Sequence, residues 1–250
     1  MRLSGQLQAF CAVYLRGLII LKMRAIKNLI SFLLSPALYA LAFGWGIGKD
    51  LTVEGMPYLT FMIPGLIALS GMTQSFSIAT EVNISRFLTH FFEEYLLSPA
   101  LGLTIVLGNI LYGMTKGLCS FMAVLLIGLV FGAVPNGTIA IILPVLLNSF
   151  MFAALGLWIA LSVKTHRDMT SFQSFVITPM SFIAGTFFSL ESLPGIFKVL
   201  TELIPLTHSS ITIRAAFLGE QVATYHYVVL IAYALFFLLM AVRRLRKAVS

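Results

Sequence analysis

Few residues of this 250-residue chain are of the types that perform chemistry, and they are widely spaced. The side chains able to bind metals or act as nucleophiles through nitrogen or sulfur are His90, His166, His208, His226, Cys11 and Cys119. They do not have the spacing of a metal site. The sequence also contains no H-E-x-x-H helix, no nucleophile elbow and no G-x-x-x-x-G-K-[ST] phosphate loop. It therefore predicts no metal centre and no catalytic or nucleotide site of its own.

The composition is that of a membrane protein: 59% of the residues are hydrophobic, 10% are charged, and the mean hydropathy is +0.99. A soluble domain carries about 25% charged residues. Apolar stretches fill residues 1–250 nearly from end to end, so we predict a single all-α transmembrane domain. The net charge of +7 is better explained by basic loops on the cytoplasmic side than by nucleic-acid binding, so no nucleic-acid partner is predicted.

Six stretches are close to the ~20 residues that cross a bilayer. They are residues 29–47, 58–80, 103–134, 138–163, 171–190 and 227–242. With the N-terminus inside, twelve of the 16 Lys and Arg residues fall on the cytoplasmic side, three fall outside, and Lys116 lies within the third stretch. This asymmetry predicts that both termini are cytoplasmic.

Lys116 is the one clear ionisable residue predicted at membrane depth, where charges are costly and often functional. No acidic residue at that depth lies within a turn of it, so the sequence does not predict the carboxylate relay of a proton-coupled carrier. Lys116 is either part of a pathway or a lysine that snorkels toward the cytoplasmic face.

Residues 1–28 are predicted to form an amphipathic helix in the membrane interface rather than a span. The apolar residues Leu3, Leu7, Phe10 and Tyr14 recur at helical spacing among basic residues. The alternative is a basic tail without regular structure.

Residues 81–100 form a cytoplasmic connection that is too polar to span. We predict a short helix here that ends at Pro99. Its candidate contact residues are Arg86, Phe87, Phe91, Glu93, Glu94 and Tyr95. Such a helix either docks a soluble partner or rests on lipid.

Residues 189–225 lie on the predicted external side and are apolar, but they are interrupted by Glu191, Pro194 and Pro205. Irregular backbone is tolerated at membrane depth only where protein or water surrounds it. We therefore predict a re-entrant hairpin that dips into the outer leaflet, and the alternative is an amphipathic helix on the outer surface. The aromatic residues just before it either line the outer end of a pathway or pack in the core: Phe182, Phe187 and Phe188.

Several of these segments together resemble the permease subunits of ATP-binding cassette type-2 exporters. YLTFMIPGLIALS (58–70) is similar to the family's second span, and EEYLLSPA (93–100) is similar to its cytoplasmic coupling segment. ITPMSFIAGTFFSLESLPGIFKVLTELIPLTH (177–208) resembles the family signature, and IRAAFLG (213–219) resembles the segment that closes it. One departure is the isoleucine before Pro205, where many relatives carry asparagine.

The resemblance implies an N-terminal interface helix, six spans, and re-entrant helices between spans five and six. It also implies a homodimer of permeases and two copies of a separate ATPase, which would bind ATP and magnesium, so that this chain holds no cofactor. Residues 81–100 would sit in a cleft of the ATPase, and the assembly would export a substrate across the bacterial inner membrane. The alternative is a non-transporting membrane scaffold. The few charges favour an amphipathic or lipid-linked substrate over a small ion.

Overall fold

A computed structural model describes residues 3–48, 50–98, 100–136, 139–190 and 194–249. The helices are α1 (Leu3–Met23), α2 (Ala25–Tyr39), α3 (Tyr58–Phe76), α4 (Ile78–Phe87), α5 (Phe91–Leu97), α6 (Gly102–Val130), α7 (Ile142–Ser162), α8 (His166–Phe172), α9 (Thr178–Ile183), α10 (Gly195–Glu202), α11 (Pro205–Leu218) and α12 (Thr224–Val249). Strands β1 (Thr52–Val53) and β2 (Met56–Pro57) pair antiparallel. π-Helical turns extend α2 over Ala40–Ile47 and join α8 to α9 over Gln173–Ile177.

The core forms around α3, which packs against α6, α7 and α11. Its fully buried side chains include Phe61, Met62, Ile63, Leu66 and Phe76. A Cβ atom on Gly117 of α6 would lie 2.2 Å from Ser75 Oγ of α3 and 2.5 Å from Ser149 Oγ of α7. Gly117 therefore sets the spacing of three helices, and small residues at such contacts let membrane helices pack closely.

Six helices among the described residues are long and apolar enough to cross a membrane. They are Ser4–Met23, Ala25–Gly46, Tyr58–Phe87, Gly102–Val130, Ile142–Ser162 and Thr224–Lys247. The all-helical class and the number of spans match the prediction, but the set of helices does not. Five of the predicted stretches correspond to one of these helices, and α1 takes the place of the stretch 171–190.

The predicted stretch 171–190 is interrupted in two ways. The π-helical turn Gln173–Ile177 precedes α9, and α9 ends at Ile183. Gly185 then adopts a φ of +73°, which glycine reaches at no steric cost. Residues 184–189 consequently run as a bent segment. An apolar run alone does not reveal such a break, because the bent segment keeps its hydrophobic side chains.

Helix α1 is observed over Leu3–Met23, and one of its faces, with Val13 and Gly17 buried, packs against α6. By length and hydropathy this helix qualifies as a span. Its placement in the membrane interface therefore stays a prediction.

Helices α3 and α4 form one nearly continuous rod, because Ser77 between them keeps a right-handed helical conformation. The apolar face of α4, including Ile78, Ala79 and Val82, is buried, and α4 packs on α7. The rod ends at Phe87, so the first residues of the predicted connection 81–100 belong to a helix of the bundle. The connection outside the rod begins at Leu88 and contains α5.

We expect Gly117→Ala to destabilise the bundle by about 1–3 kcal/mol, the usual cost of overpacking, because the added methyl group meets two hydroxyls. Gly195→Ala is the matched control, since nothing lies within 4 Å of a Cβ atom at that position. Thermal unfolding of the detergent-purified variants measures the difference. Equal unfolding temperatures for the two variants would contradict the tight three-helix contact.

Candidate functional site

A groove of about 270 Å³ opens between α2, α3, α6 and the segment from Gln173 to Phe182. Its polar lining consists of hydroxyl and amide side chains, supplied by Ser31, Ser35, Ser70, Thr73, Gln74, Ser120, Gln173, Thr178 and Ser181, together with the phenol of Tyr39. Apolar side chains such as Phe32, Leu69 and Ile177 complete it, and none of the lining residues carries a formal charge. The groove therefore offers hydrogen bonds without an ionic partner.

Helical spacing places these polar side chains on common faces. Ser31 and Ser35 are four residues apart on α2, and Thr73 and Gln74 follow Ser70 by three and four residues on α3. Residues at these spacings lie on one side of a helix. The Nε2 amide of Gln74 donates to the Ser31 hydroxyl at 3.2 Å, which ties α2 to α3 across the groove.

An aromatic cluster lies at one end of the groove and is centred on Phe187. The Phe187 ring centroid is 5.3 Å from that of Tyr39, 5.4 Å from that of Phe43 and 6.1 Å from that of Phe182. Tyr39 and Phe182 also line the groove. The structure thus brings two of the three predicted pathway aromatics, Phe182 and Phe187, to the end of this groove.

The bent segment 184–189 carries Phe187, and three contacts fix its position. The Tyr58 hydroxyl donates to the Phe187 carbonyl at 2.7 Å, and Arg214 Nη2 donates to the Gly185 carbonyl at 2.8 Å. A Cβ atom at Gly65 would lie 2.6 Å from the Thr186 carbonyl oxygen, so only glycine lets the segment cross α3 there. The third predicted aromatic, Phe188, is half-buried in the same segment.

Arg214 of α11 is partly buried and was not predicted to be part of a site. Its guanidinium lies 3.9 Å from the centre of the Phe61 ring, and its Nε donates to the Phe61 carbonyl at 3.3 Å. Burial lowers the pKa of Arg214 to about 10, an effect that Glu54 opposes, so the side chain stays charged at neutral pH. Stacking on an aromatic face and bonding to carbonyl oxygens compensate the burial of this cation.

Lys116 does not line the groove. Its Nζ lies 2.7 Å from Glu81 Oε1 and also donates to Ser77 Oγ, and Tyr112 donates its hydroxyl to Glu81 Oε2 at 2.9 Å. The sequence places no acidic residue within a turn of Lys116 on α6, and it did not predict this partner from another helix. The partner comes from α4, whose helix carries Glu81 into the bundle, and spacing along α6 cannot show a contact between helices. Ser120, one turn further along α6, is the residue that reaches the groove.

The predicted coupling residues fall into two groups. Phe91 and Glu94 are exposed on α5, Tyr95 is half-buried there, and the side chain of Glu93 lies outside the described part of the chain. Arg86 instead belongs to α4 and donates to the carbonyl oxygens of Ala160 and Val163 at the end of α7. Its guanidinium also lies 4.9 Å from the centre of the Phe87 ring. Arg86 therefore caps α7 rather than contributing to an exposed surface on α5.

Helix α1 holds the α5 connection, which sequence reasoning did not anticipate. Arg16 lies between the rings of Phe91 and Tyr95, 5.5 and 5.4 Å from their centres, and donates to the Tyr95 hydroxyl at 2.7 Å. Nearer the start of α1, Gln6 Oε1 accepts hydrogen bonds from the Leu101 amide and the Thr104 hydroxyl, both at 2.9 Å. These contacts connect α5 and the residues that follow it to α1 and to the start of α6.

In the region predicted to be external, the two predicted prolines mark helix starts. Pro194 directly precedes α10, and Pro205 is the first residue of α11. Helix α10 exposes Ile196, Phe197 and Val199, whereas most of α11 is buried. Glu191 lies outside the described residues, and the dip of this hairpin into the outer leaflet stays a prediction. Among the described residues, no group of three or more His, Cys, Asp or Glu side chains could hold a metal ion.

We expect Lys116→Met to destabilise the protein, because it leaves the Glu81 carboxylate without its cation. Breaking a fully buried pair costs about 3–5 kcal/mol, and the cost here is smaller because Glu81 is partly exposed. Adding Glu81→Gln to Lys116→Met should restore most of the lost unfolding temperature. Equal unfolding temperatures for Lys116→Met and for the double variant would show that the Lys116–Glu81 ion pair does not stabilise the bundle.

The comparisons with known proteins agree with this architecture. Residues 8–218 match the model of the ABC-2 type transporter family. The chain is 30% identical over 212 residues to nodulation protein J of Sinorhizobium fredii (strain NBRC 101917 / NGR234), covering 84% of this chain and 81% of the relative. It is 31% identical over 222 residues to nodulation protein J of Neorhizobium galegae, covering 88% and 84%. It is 28% identical over 199 residues to the inner membrane transport permease YadH of Escherichia coli (strain K12), covering 78% and 77%. The chain therefore belongs to the ABC-2 type transporter family and is a multi-pass membrane transport permease.

Proposed function

We propose that this chain is the membrane-spanning subunit of an ATP-driven exporter in the bacterial inner membrane, with both termini in the cytoplasm. Family membership implies partnership with an ATP-binding subunit. The distribution of Lys and Arg supports the orientation, and a relative is named as an inner membrane transport permease.

The observation that carries the proposal is the uncharged, hydroxyl-rich groove between α2, α3, α6 and α9. Polar groups are costly in a bilayer, so a row of them on adjoining spans needs a use or a partner. Among the described residues, the buried Ser120 hydroxyl at this groove has no hydrogen-bond partner. We infer that the groove forms a wall of the export pathway and binds an uncharged polar group of the substrate.

The apolar residues of the same groove suit an amphipathic substrate. Phe32, Leu69 and Phe182 would contact its apolar part, while the serine and threonine hydroxyls both donate and accept hydrogen bonds to its polar part. The aromatic cluster around Phe187 would close the outer end between transport events. A small ion finds no charged ligand among the lining residues.

A second copy of the chain would complete the pathway. Next to the groove, α2 exposes Ile30, Leu34 and Leu38. We propose that this face packs against the partner permease on one side of the pathway, so that two grooves face each other.

The ATPase would dock on α5, with one ATPase subunit beneath each permease. Phe91, Glu94 and Leu97 are exposed on this short helix, so it presents both apolar and acidic groups to a soluble partner. ATP and magnesium would stay on the ATPase. Closure of the ATPase dimer on ATP would push α5, and Arg16 would pass this movement to α1.

Glu93→Arg combined with Glu94→Arg is expected to abolish ATPase association, because it reverses the charge of the docking helix. A mild-detergent pull-down of the tagged chain from its native host, with mass spectrometry of bound proteins, measures this. The matched control is Glu202→Arg with Glu220→Arg, which makes the same charge change on α10 and in the loop after α11. Normal recovery of the ATPase with the α5 variant would place docking elsewhere, and absence of any ATPase from the wild-type sample would favour a scaffold.

Ser181→Trp is expected to block export while leaving ATPase association intact, because the indole fills the groove. Molecules missing from the medium of a deletion strain identify the substrate, and complementation tests which variants restore it. Val228→Trp on the exposed face of α12 is the matched control. Full restoration by Ser181→Trp at equal expression would show that the groove is not the pathway.

A further inference from the structure

Two buried histidines face each other between α11 and the start of α12, away from the groove. His208 is 3% exposed and His226 is 7% exposed. Their Nδ1 atoms are 2.8 Å apart, and His208 Nε2 is 2.9 Å from the Glu202 carbonyl oxygen. The Tyr225 ring lies over His226 with 3.9 Å between the ring centres.

The hydrogen bonds determine where the protons are. A carbonyl oxygen only accepts, so His208 Nε2 carries a proton and donates it to Glu202. When both rings are neutral, His208 Nδ1 has a lone pair and accepts from the Nδ1 proton of His226. His226 Nε2 is then the unprotonated nitrogen of the pair.

The first proton added to the pair leaves this bond intact. It binds His226 Nε2, and the resulting imidazolium still donates from Nδ1 to His208, now as a charge-assisted bond. The second proton has only His208 Nδ1 to bind. Both Nδ1 atoms then carry protons, and two positive rings face each other at hydrogen-bond distance. The doubly charged pair cannot keep this geometry.

The surroundings allow protons to reach the pair. A cavity of about 370 Å³ lies beside it and opens between α10, α11 and α12. The charged and titratable side chains lining it are Lys198 and Glu202 of α10 and Tyr225 of α12. The Lys198 cation adds to the repulsion of a doubly charged pair, while the Glu202 carboxylate opposes it. The cavity is also lined by Thr207, whose buried hydroxyl has no partner among the described residues.

We propose that His208 and His226 form a pH-sensitive latch that holds the α10–α11 hairpin against α12 and loosens it, without detaching α11 from the bundle, when both rings are charged. The latch is closed with no proton or one proton added to the neutral pair. A second contact, from the Tyr233 hydroxyl to the Leu203 carbonyl at 3.0 Å, involves neither histidine and stays in place. Opening is therefore a swing of the hairpin about this contact rather than its detachment.

The direction of the pH effect follows from which state binds more protons. Two positive rings cannot keep the 2.8 Å contact of the closed state, so the open state binds more protons than the closed state. The latch is therefore fully effective above about pH 6.5 and weakens as the pH falls. On the predicted external side of the membrane, acid outside the cell would loosen the outer end of the permease. That last step depends on the proposed function, but the latch itself does not.

Spin-label distances in the full chain test the latch without substrate or ATPase. Nitroxides are attached at Val199→Cys on α10 and Val228→Cys on α12, two exposed positions, after Cys11 and Cys119 are replaced by serine. Double electron–electron resonance in lipid nanodiscs then compares about pH 8 with about pH 5, on either side of the ordinary histidine pKa. We expect one short distance at the higher pH and a second, longer population at the lower pH.

Matched variants separate the pair from other titrating groups. His208→Gln with His226→Gln keeps one hydrogen bond but cannot titrate, and His226→Gln alone leaves only one titrating ring, so both should show the short distance at both pH values. His166→Gln removes a histidine that bonds Asn83 elsewhere and should leave the pH response unchanged. The latch is refuted if the spin-labelled protein that keeps both histidines shows the same distances at both pH values. It is also refuted if the longer distance still appears at low pH in either variant that carries His226→Gln. Because neither result depends on an ATPase, failure of the latch and failure of the exporter proposal are distinguishable.

Discussion

The crossing of segment 184–189 over α3 is the contact on which the rest of the structure depends. Unpaired backbone carbonyls are costly within a membrane protein, and here Tyr58 and Arg214 satisfy those of Phe187 and Gly185. Gly65 provides the space for this crossing, because any larger residue would meet the Thr186 carbonyl. Once the segment is fixed there, Phe187 lies at the end of the groove, and the chain leaves toward α10. The aromatic end of the groove and the α10–α11 hairpin thus share one anchor on α3.

Charged side chains and uncharged polar side chains have different surroundings inside the bundle. The described cations near the core all have specific partners: Lys116 faces Glu81, Arg214 faces carbonyl oxygens and an aromatic ring, and Arg86 caps the end of α7. The groove, in contrast, is lined only by hydroxyl, amide and apolar groups. Paired charges rigidify the helices, since moving one partner would leave an uncompensated ion. The neutral groove carries no such constraint, so a substrate in the proposed pathway would replace its hydrogen bonds at low cost.

The sequence predicted the helical class, most of the spans and a short helix within residues 81–100, because each of these is a property of one continuous stretch. It did not reveal the Glu81 partner of Lys116, the capping by Arg86 or the brace from Arg16, since each joins residues more than 30 positions apart. The groove left a weaker signal, namely serines and threonines repeating every three or four residues on apolar helices. The break in the helix after Ile183 gave almost no sequence signal, because Gly185 and its aromatic neighbours fit an ordinary span equally well.

The two ends of the molecule are built on opposite principles. On the cytoplasmic side, as we orient the chain, Gln6 and Arg16 bind α1 to the α5 connection by polar contacts that do not depend on one another. A force on α5 would therefore act on α1 as well. At the other end, the α10–α11 hairpin is held to α12 by a histidine pair whose geometry changes with two protons. The Tyr233 contact and the buried face of α11 keep that hairpin in register when the pair opens. The contacts between α1 and α5 would thus transmit a movement of the ATPase rigidly. The α10–α11 hairpin, at the end where the substrate would leave, could change its position.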